Sequence, residues 1–265
     1  MKSTAYLVLY YFFTLKVINS SSLNSPSKGR IVGGFEVEKN DYQYKVALIH
    51  FNGQYFCSGA IVDVRVVLTA AHCMQEVFSQ TGIFAILGSN DIVNYDENYQ
   101  KIRSQNWTMH ENYTRSIHYD IAVIKLEASI IFNGYISILP LYSFNDTLDK
   151  YNVTDCGWGI DETSQISPVL RCMNAVVLSN AQCSSVYGNT IGPNFICAQG
   201  ENGSRTCSGD SGSVLVFKDR RSVYVGVGVL SFGPSDCRAA PVVFTRVSKY
   251  YDWITERIQI FINSP

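Results

Sequence analysis

Three short stretches of the 265-residue chain hold residue types that can do chemistry together. They are Thr69-Ala70-Ala71-His72-Cys73, then Asp120-Ile121-Ala122-Val123 at the head of an apolar run, then Gly209-Asp210-Ser211-Gly212. A serine hydroxyl is too weakly acidic to attack by itself. An imidazole in reach can take its proton, and a carboxylate can hold the imidazole's tautomer and stabilise its cation. Each motif alone has a bland reading, since a Ser between glycines makes turns, a His beside a Cys packs, and an Asp before a strand caps. In the order His, Asp, Ser they form a matched set for nucleophilic catalysis. His50, His110 and His118 show no metal-ligand spacing, so neither a metal nor a cofactor is expected.

The elements that must position these residues read as β. Short β-branched and aromatic runs at 44–51, 60–68, 83–87, 121–126, 153–158, 169–178, 214–217, 223–232 and 242–247 are punctuated by Gly, Asn, Asp and Pro. That pattern predicts an all-β barrel or sandwich. Only the C-terminus has a helical period, with Tyr251, Ile254, Ile258 and Phe261 predicting a helix over about 248–262. Sixteen per cent charged residues, a net charge of −1, 17 Tyr and 14 Phe exclude a disordered chain and a phosphate-neutralising nucleic-acid binder.

The N-terminus sets the expected compartment. Lys2 precedes an apolar run over 5–15, followed by Lys16 and small polar residues at 19–22. This is too short for a membrane span of roughly 20 residues and reads as a signal peptide over 1–20. Residues 21–30 form a Ser/Pro/Gly stretch that reads as a pro-segment. No later run is apolar enough to cross a bilayer, so a secreted protein without a membrane anchor is expected. The eight Cys are then expected in disulfides. Asn-x-Ser/Thr acceptors at Asn106, Asn112, Asn145, Asn152 and Asn202 fit the same route and belong on surface loops if glycosylated.

With these motifs in place the chain resembles a chymotrypsin-fold serine protease from Arg30 to its end. The resemblance also rests on Arg30 followed by Ile31-Val32-Gly33-Gly34, on Gly157-Trp158-Gly159, on Ser231-Phe232-Gly233, and on the run from Pro241 to Val247 before the terminal helix. It implies two antiparallel six-stranded β barrels side by side, about 31–134 and 135–265, with a C-terminal α-helix and the site between them. It implies His72 as general base, Asp120 as its orienting carboxylate and Ser211 as nucleophile. The N–H groups of Gly209 and Ser211 would form the oxyanion hole, where losing one donor costs about 2.7 to 4 kcal/mol of barrier. Cleavage after Arg30 would free the amino group of Ile31 to pair with Asp210. That pairing would raise the α-amino pKa above roughly 7.7 to 8.0, and its ordering energy would be lost as pH rises through the raised value.

The resemblance also implies Cys57 with Cys73, Cys183 with Cys197 and Cys207 with Cys237. That leaves Cys156 and Cys172 to pair, because Val37 stands where trypsins carry the usual partner of Cys172. Arg205, six residues before the nucleophile, occupies the base of the implied specificity pocket, where trypsin-like members carry Asp. A preference for Lys or Arg is therefore not expected. Either Arg205 points inward and selects acidic residues, or it turns to solvent and Val242 leaves a shallow site beside Ser231, Phe232 and Gly233. Ser213 and Val214 replace the usual Gly and Pro, for which altered packing is expected. The implied partners are protein or peptide substrates, an activating protease and protein inhibitors, with the chain itself a monomer. The alternative is a protease homologue serving as a binding or regulatory module, although such homologues characteristically lose a triad residue and this chain keeps all three.

Overall fold

Strand pairing closes the first barrel from β2 (Lys45–His50), β3 (Tyr55–Asp63), β4 (Val66–Thr69), β5 (Ile83–Leu87), β6 (Gln100–Met109) and β7 (Ala122–Leu126), in the order β2-β3-β4-β7-β6-β5. The computed structural model describes residues 34–264 except 39, 76, 78–81, 161–163, 235, 238 and 239. The expected leader, pro-segment, Arg30 and Ile31 lie outside the described residues. The apolar runs form strands because they bury both faces: every residue of β2, β4 and β7 is buried. The single run at 60–68 divides into β3 and β4, joined by a turn at Val64-Arg65.

The second barrel uses β8 (Asn152–Gly157), β9 (Arg171–Leu178), β10 (Phe195–Gly200), β11 (Val214–Lys218), β12 (Tyr224–Phe232) and β13 (Val242–Arg246). They run β8-β9-β10-β13-β12-β11, and β11 returns to β8 to close the ring. The expected fold of two six-stranded antiparallel barrels with a C-terminal helix is what the structure has. The short strand β1 (Phe35–Glu36) pairs with β9 of this second barrel, Phe35 opposite Cys172, although it precedes the first barrel in the chain. Two short helices interrupt the strands, α1 (Ala71–Gln75) and α2 (Asn180–Tyr187).

The terminal helix α3 (Val247–Asn263) makes the reverse crossing. Its buried face is Val247, Tyr250, Ile254, Ile258 and Phe261, and these residues join a core cluster that takes in the first barrel and also Trp158, Val214 and Val229 of the second; Tyr250 packs edge-on against His110 and Tyr119, between β6 and β7. Tyr250 rather than Tyr251 continues the i, i+4 stripe with Ile254. Among the described residues no helix is long and apolar enough to cross a membrane.

Four disulfides pin the structure: Cys57–Cys73, Cys156–Cys172, Cys183–Cys197 and Cys207–Cys237. Cys156 and Cys172 stand directly opposite each other on β8 and β9. No free cysteine occurs among the described residues.

Candidate active site

His72 is the second residue of α1, which follows β4. The Cys57–Cys73 bond ties its neighbour to β3. Asp120 stands just ahead of β7 and is buried. Its Oδ1 accepts the backbone N–H of His72 at 2.8 Å, and its Oδ2 lies 2.8 Å from His72 Nδ1. A ring nitrogen facing a carboxylate carries the proton, which leaves Nε2 as the basic nitrogen. The Asp120 carbonyl accepts from Thr245 Oγ1 at 2.9 Å, so β13 of the second barrel fixes the backbone of this first-barrel residue.

Ser211 sits on a turn whose shape only glycine permits. Gly212 has φ +76°, and a Cβ there would stand 2.2 Å from Thr69 Oγ1 and 2.6 Å from the Ser58 carbonyl. The close approach lets Ser58 N–H donate to the Ser211 carbonyl at 2.8 Å, joining the turn to the first barrel. Gly209, at φ +98°, lies against Gly159, and its carbonyl accepts from Tyr55 Oη at 2.6 Å. The Ser208 carbonyl accepts from Ile160 N at 2.8 Å. Both carbonyls flanking the Gly209 nitrogen are thereby held by other partners. The N–H groups of Asp210, Gly212 and Ser213 are spent on the carbonyls of Cys207, Leu230 and Asp210. Those of Gly209 and Ser211 have no acceptor among the described residues.

Asp210 itself is buried and points away from the cleft. Its carboxylate accepts from Gly159 N at 2.8 Å and Cys207 N at 2.9 Å. Burial pushes its pKa up to about 7, and these two bonds oppose the rise. Its expected partner, Ile31, lies outside the described residues.

A cavity of about 130 Å³ adjoins the turn. Ser211, Ser231, Phe232 and Gly233 line it, together with Thr206 and Leu230, which the sequence reading did not single out. Ser231 serves two purposes, since its Oγ also donates to Asp120 Oδ2 at 2.6 Å. Arg205 and Val242 are not in the lining. Val242 is buried beneath Gly233, its methyl groups 3.8 and 3.9 Å from where a Gly233 Cβ would lie. Arg205 is half-buried and donates through Nη1 to the Gly203 carbonyl at 3.1 Å.

Cys57, His72 and Cys73 converge, but both sulfurs are committed to their disulfide and offer no thiolate to a metal. Near β5, Asp96 accepts from Ser89 Oγ and Asn90 N. Asn106, Asn112, Asn145, Asn152 and Asn202 are all exposed, but against the expectation of loops Asn106 lies within β6 and Asn152 opens β8.

A carboxylate-held imidazole on one barrel, linked through Ser231 to the cleft of a Gly-Asp-Ser-Gly turn on the other, is the architecture of a two-barrel serine protease. The family model described as Trypsin matches residues 31–254, and the chain belongs to that family of serine endopeptidases. It is 33% identical over 232 residues to a chymotrypsin of Phaedon cochleariae, covering 84% of this chain and 80% of that protein. It is 36% identical to a brachyurin of Leptuca pugilator, covering 84% and 96%. Against a chymotrypsin-like elastase family member 1 of Bos taurus it is 32% identical, covering 95% and 98%.

Proposed function

We propose that the chain is the secreted zymogen of a non-tryptic serine endopeptidase working through an acyl-enzyme. The observation that carries the mechanism is the pair of uncommitted N–H groups at Gly209 and Ser211, beside a turn whose other N–H groups are committed. Ser211 Oγ attacks the scissile carbonyl carbon while His72 Nε2 takes its proton. The carbonyl oxygen becomes an oxyanion held by the two N–H groups. His72 then returns the proton to the leaving amine as the C–N bond breaks, leaving the acyl group on Ser211. Water, deprotonated by the same imidazole, releases it. Asp120 holds the imidazolium through its hydrogen bond to Nδ1.

Activation follows cleavage between Arg30 and Ile31, whose new ammonium pairs with Asp210. A buried carboxylate that among the described residues is hydrogen-bonded by backbone N–H groups supports this reading, because burial, with the Asp155 charge adding to it, holds its pKa up at about 7, short of full ionisation at neutral pH. The eight disulfide-bonded cysteines and five exposed Asn-x-Ser/Thr acceptors support secretion.

The small cavity, the buried Val242 and the hydrogen bond that holds Arg205 to Gly203 favour small or medium apolar residues on the acyl side of the cut bond. A second reading, selection of acidic residues, draws on Arg205 Nε, a buried donor with no partner among the described residues. The test is cleavage of a random peptide library by protein cut after Arg30, alongside fluorophosphonate labelling. Labelling at Ser211 and cuts after Ala, Val or Leu are expected. Cuts concentrated after Asp or Glu would transfer the assignment to the second reading, and cuts after Lys or Arg would refute both. Absence of labelling in folded, cleaved protein would refute the enzyme mechanism itself.

A further inference from the structure

Beneath the turn that carries Ser211 lie three buried polar side chains for which the bond-breaking steps have no use. Ser213 and Asp155 are fully buried and Lys45 nearly so. Ser213 belongs to the turn: its N–H donates to the Asp210 carbonyl at 3.0 Å and its own carbonyl accepts from Leu230 N at 2.8 Å. Its hydroxyl donates to Asp155 Oδ2 on β8 at 2.9 Å. The next carbonyl of β8, that of Cys156, accepts from Lys45 Nζ, which reaches across from β2 of the first barrel. The Asp210 carboxylate rests on the same strand, where a Cβ on Gly157 would stand 2.1 Å from its Oδ1.

The ammonium of Lys45 therefore enters at a point of β8 flanked by two buried carboxylates. It favours ionisation of both, against burial, which holds Asp155 up at about 6 and Lys45 down at about 8. Removing one member of such a set leaves the other charge buried and uncompensated, so the members depend on one another. A glycine or alanine at position 213 would have no link to β8 or to the first barrel beyond its backbone.

We infer that Lys45, Asp155 and Ser213 form a polar brace between the two barrels that holds the 210–213 turn. Asp155 and Ser213 are thereby positioning residues for the Ser211 nucleophile. The inference rests on the reading of Ser211 as nucleophile.

The test measures kcat and KM on a short peptide amide, with folded fraction checked by thermal unfolding, in the full chain cleaved after Arg30. Ser213→Ala and the charge-balanced pair Lys45→Met/Asp155→Leu are each expected to lower kcat about tenfold, the kinetic equivalent of one hydrogen bond. KM should stay within about twofold, because substrate does not touch the brace. All three changes together should cost no more than the worse of the two, as expected for residues acting as one unit. Lys45→Met/Asp155→Asn, which restores an uncharged acceptor for Ser213, should recover most of kcat. Losses that multiply in the triple variant, or an unchanged kcat in folded Ser213→Ala, would overturn the brace. Should the Lys45/Asp155 pairs fail to fold, the kcat of Ser213→Ala alone decides. Ser211→Ala serves as the separate control, since turnover persisting there would refute the nucleophile and leave the Ser213 hydrogen bond a structural matter.

Discussion

Ser231 Oγ donates to the same oxygen of Asp120 that faces His72 Nδ1, at 2.6 and 2.8 Å respectively. One hydroxyl of the cavity beside Ser211 thus shares a carboxylate oxygen with the imidazole and helps fix the direction in which the ring is aimed. Hydrogen bonds to a charged group contribute about 1.5 to 3 kcal/mol, so Ser231→Ala should lower kcat/KM by roughly ten- to a hundredfold. Steady-state kinetics on a peptide amide would check this, and an unchanged value would remove Ser231 from the machinery.

Gly212 is sterically irreplaceable. Alanine there would combine a left-handed backbone with a Cβ 2.2 Å from Thr69 Oγ1. The two effects together should cost at least about 2 kcal/mol of stability and break the Ser58–Ser211 link. Chemical denaturation and fluorophosphonate labelling of Gly212→Ala should both register the loss.

The buried Asp210 carboxylate makes stability depend on pH. Burial holds its folded pKa up at about 7, above the ordinary aspartate value of about 3.9, so between these values the folded state binds more protons than the unfolded one. Stability from this group is present at the acid end and is lost as pH rises toward about 7. In an uncleaved Ser211→Ala background, Asp210→Asn lacks that loss. Its Tm relative to the parent should therefore climb from pH 4 to pH 7 and then level off. A constant difference across this range would contradict the assignment.

Val242 does not line the cavity but packs beneath Gly233, which does. Val242→Gly should open the site and shift preference toward larger apolar residues, with kcat/KM for Phe rising relative to Ala in matched substrates. No change in that ratio would mean another residue sets the depth.

The Cys156–Cys172 bond closes a loop with a sequence separation of 16. Replacing both with Ala should cost about 3 kcal/mol of stability, by the usual scaling of loop entropy. Because the bond lies across β8 and β9 rather than in the cleft, kcat should be preserved, and urea unfolding with parallel kinetics would separate the two effects.

Much of the architecture was legible in the sequence because burial on both faces writes continuous apolar runs, as in β2, β4 and β7. β6 escaped because only two of its ten residues are buried and most are polar, and its strand character comes from pairing with β5 and β7. β10 is short and opens on Phe195 just after Pro193, too little pattern to stand out. α2 buries only Cys183, so it has no apolar stripe, and what starts it is a capping box between Ser179 and Gln182. At the site, the order of His72, Asp120 and Ser211 pointed to the chemistry. The supports did not appear, because each works across the chain: Tyr55 reaches Gly209 over 154 positions, Thr245 reaches Asp120 over 125, and Lys45 reaches Cys156 over 111. Ser213 was visible as a departure from the family, while its partner Asp155, 58 positions away, was not.

The two crossed ends of the chain have a consequence for the order of assembly. β1 is stitched to the second barrel, and α3 lays its buried face on the core cluster that the two barrels share, with Tyr250 against His110 and Tyr119 of the first. During synthesis the apolar surface that α3 covers therefore stays open until residues 247–263 have followed both barrels. A product truncated before α3 should accordingly be a chaperone client rather than a stray protease.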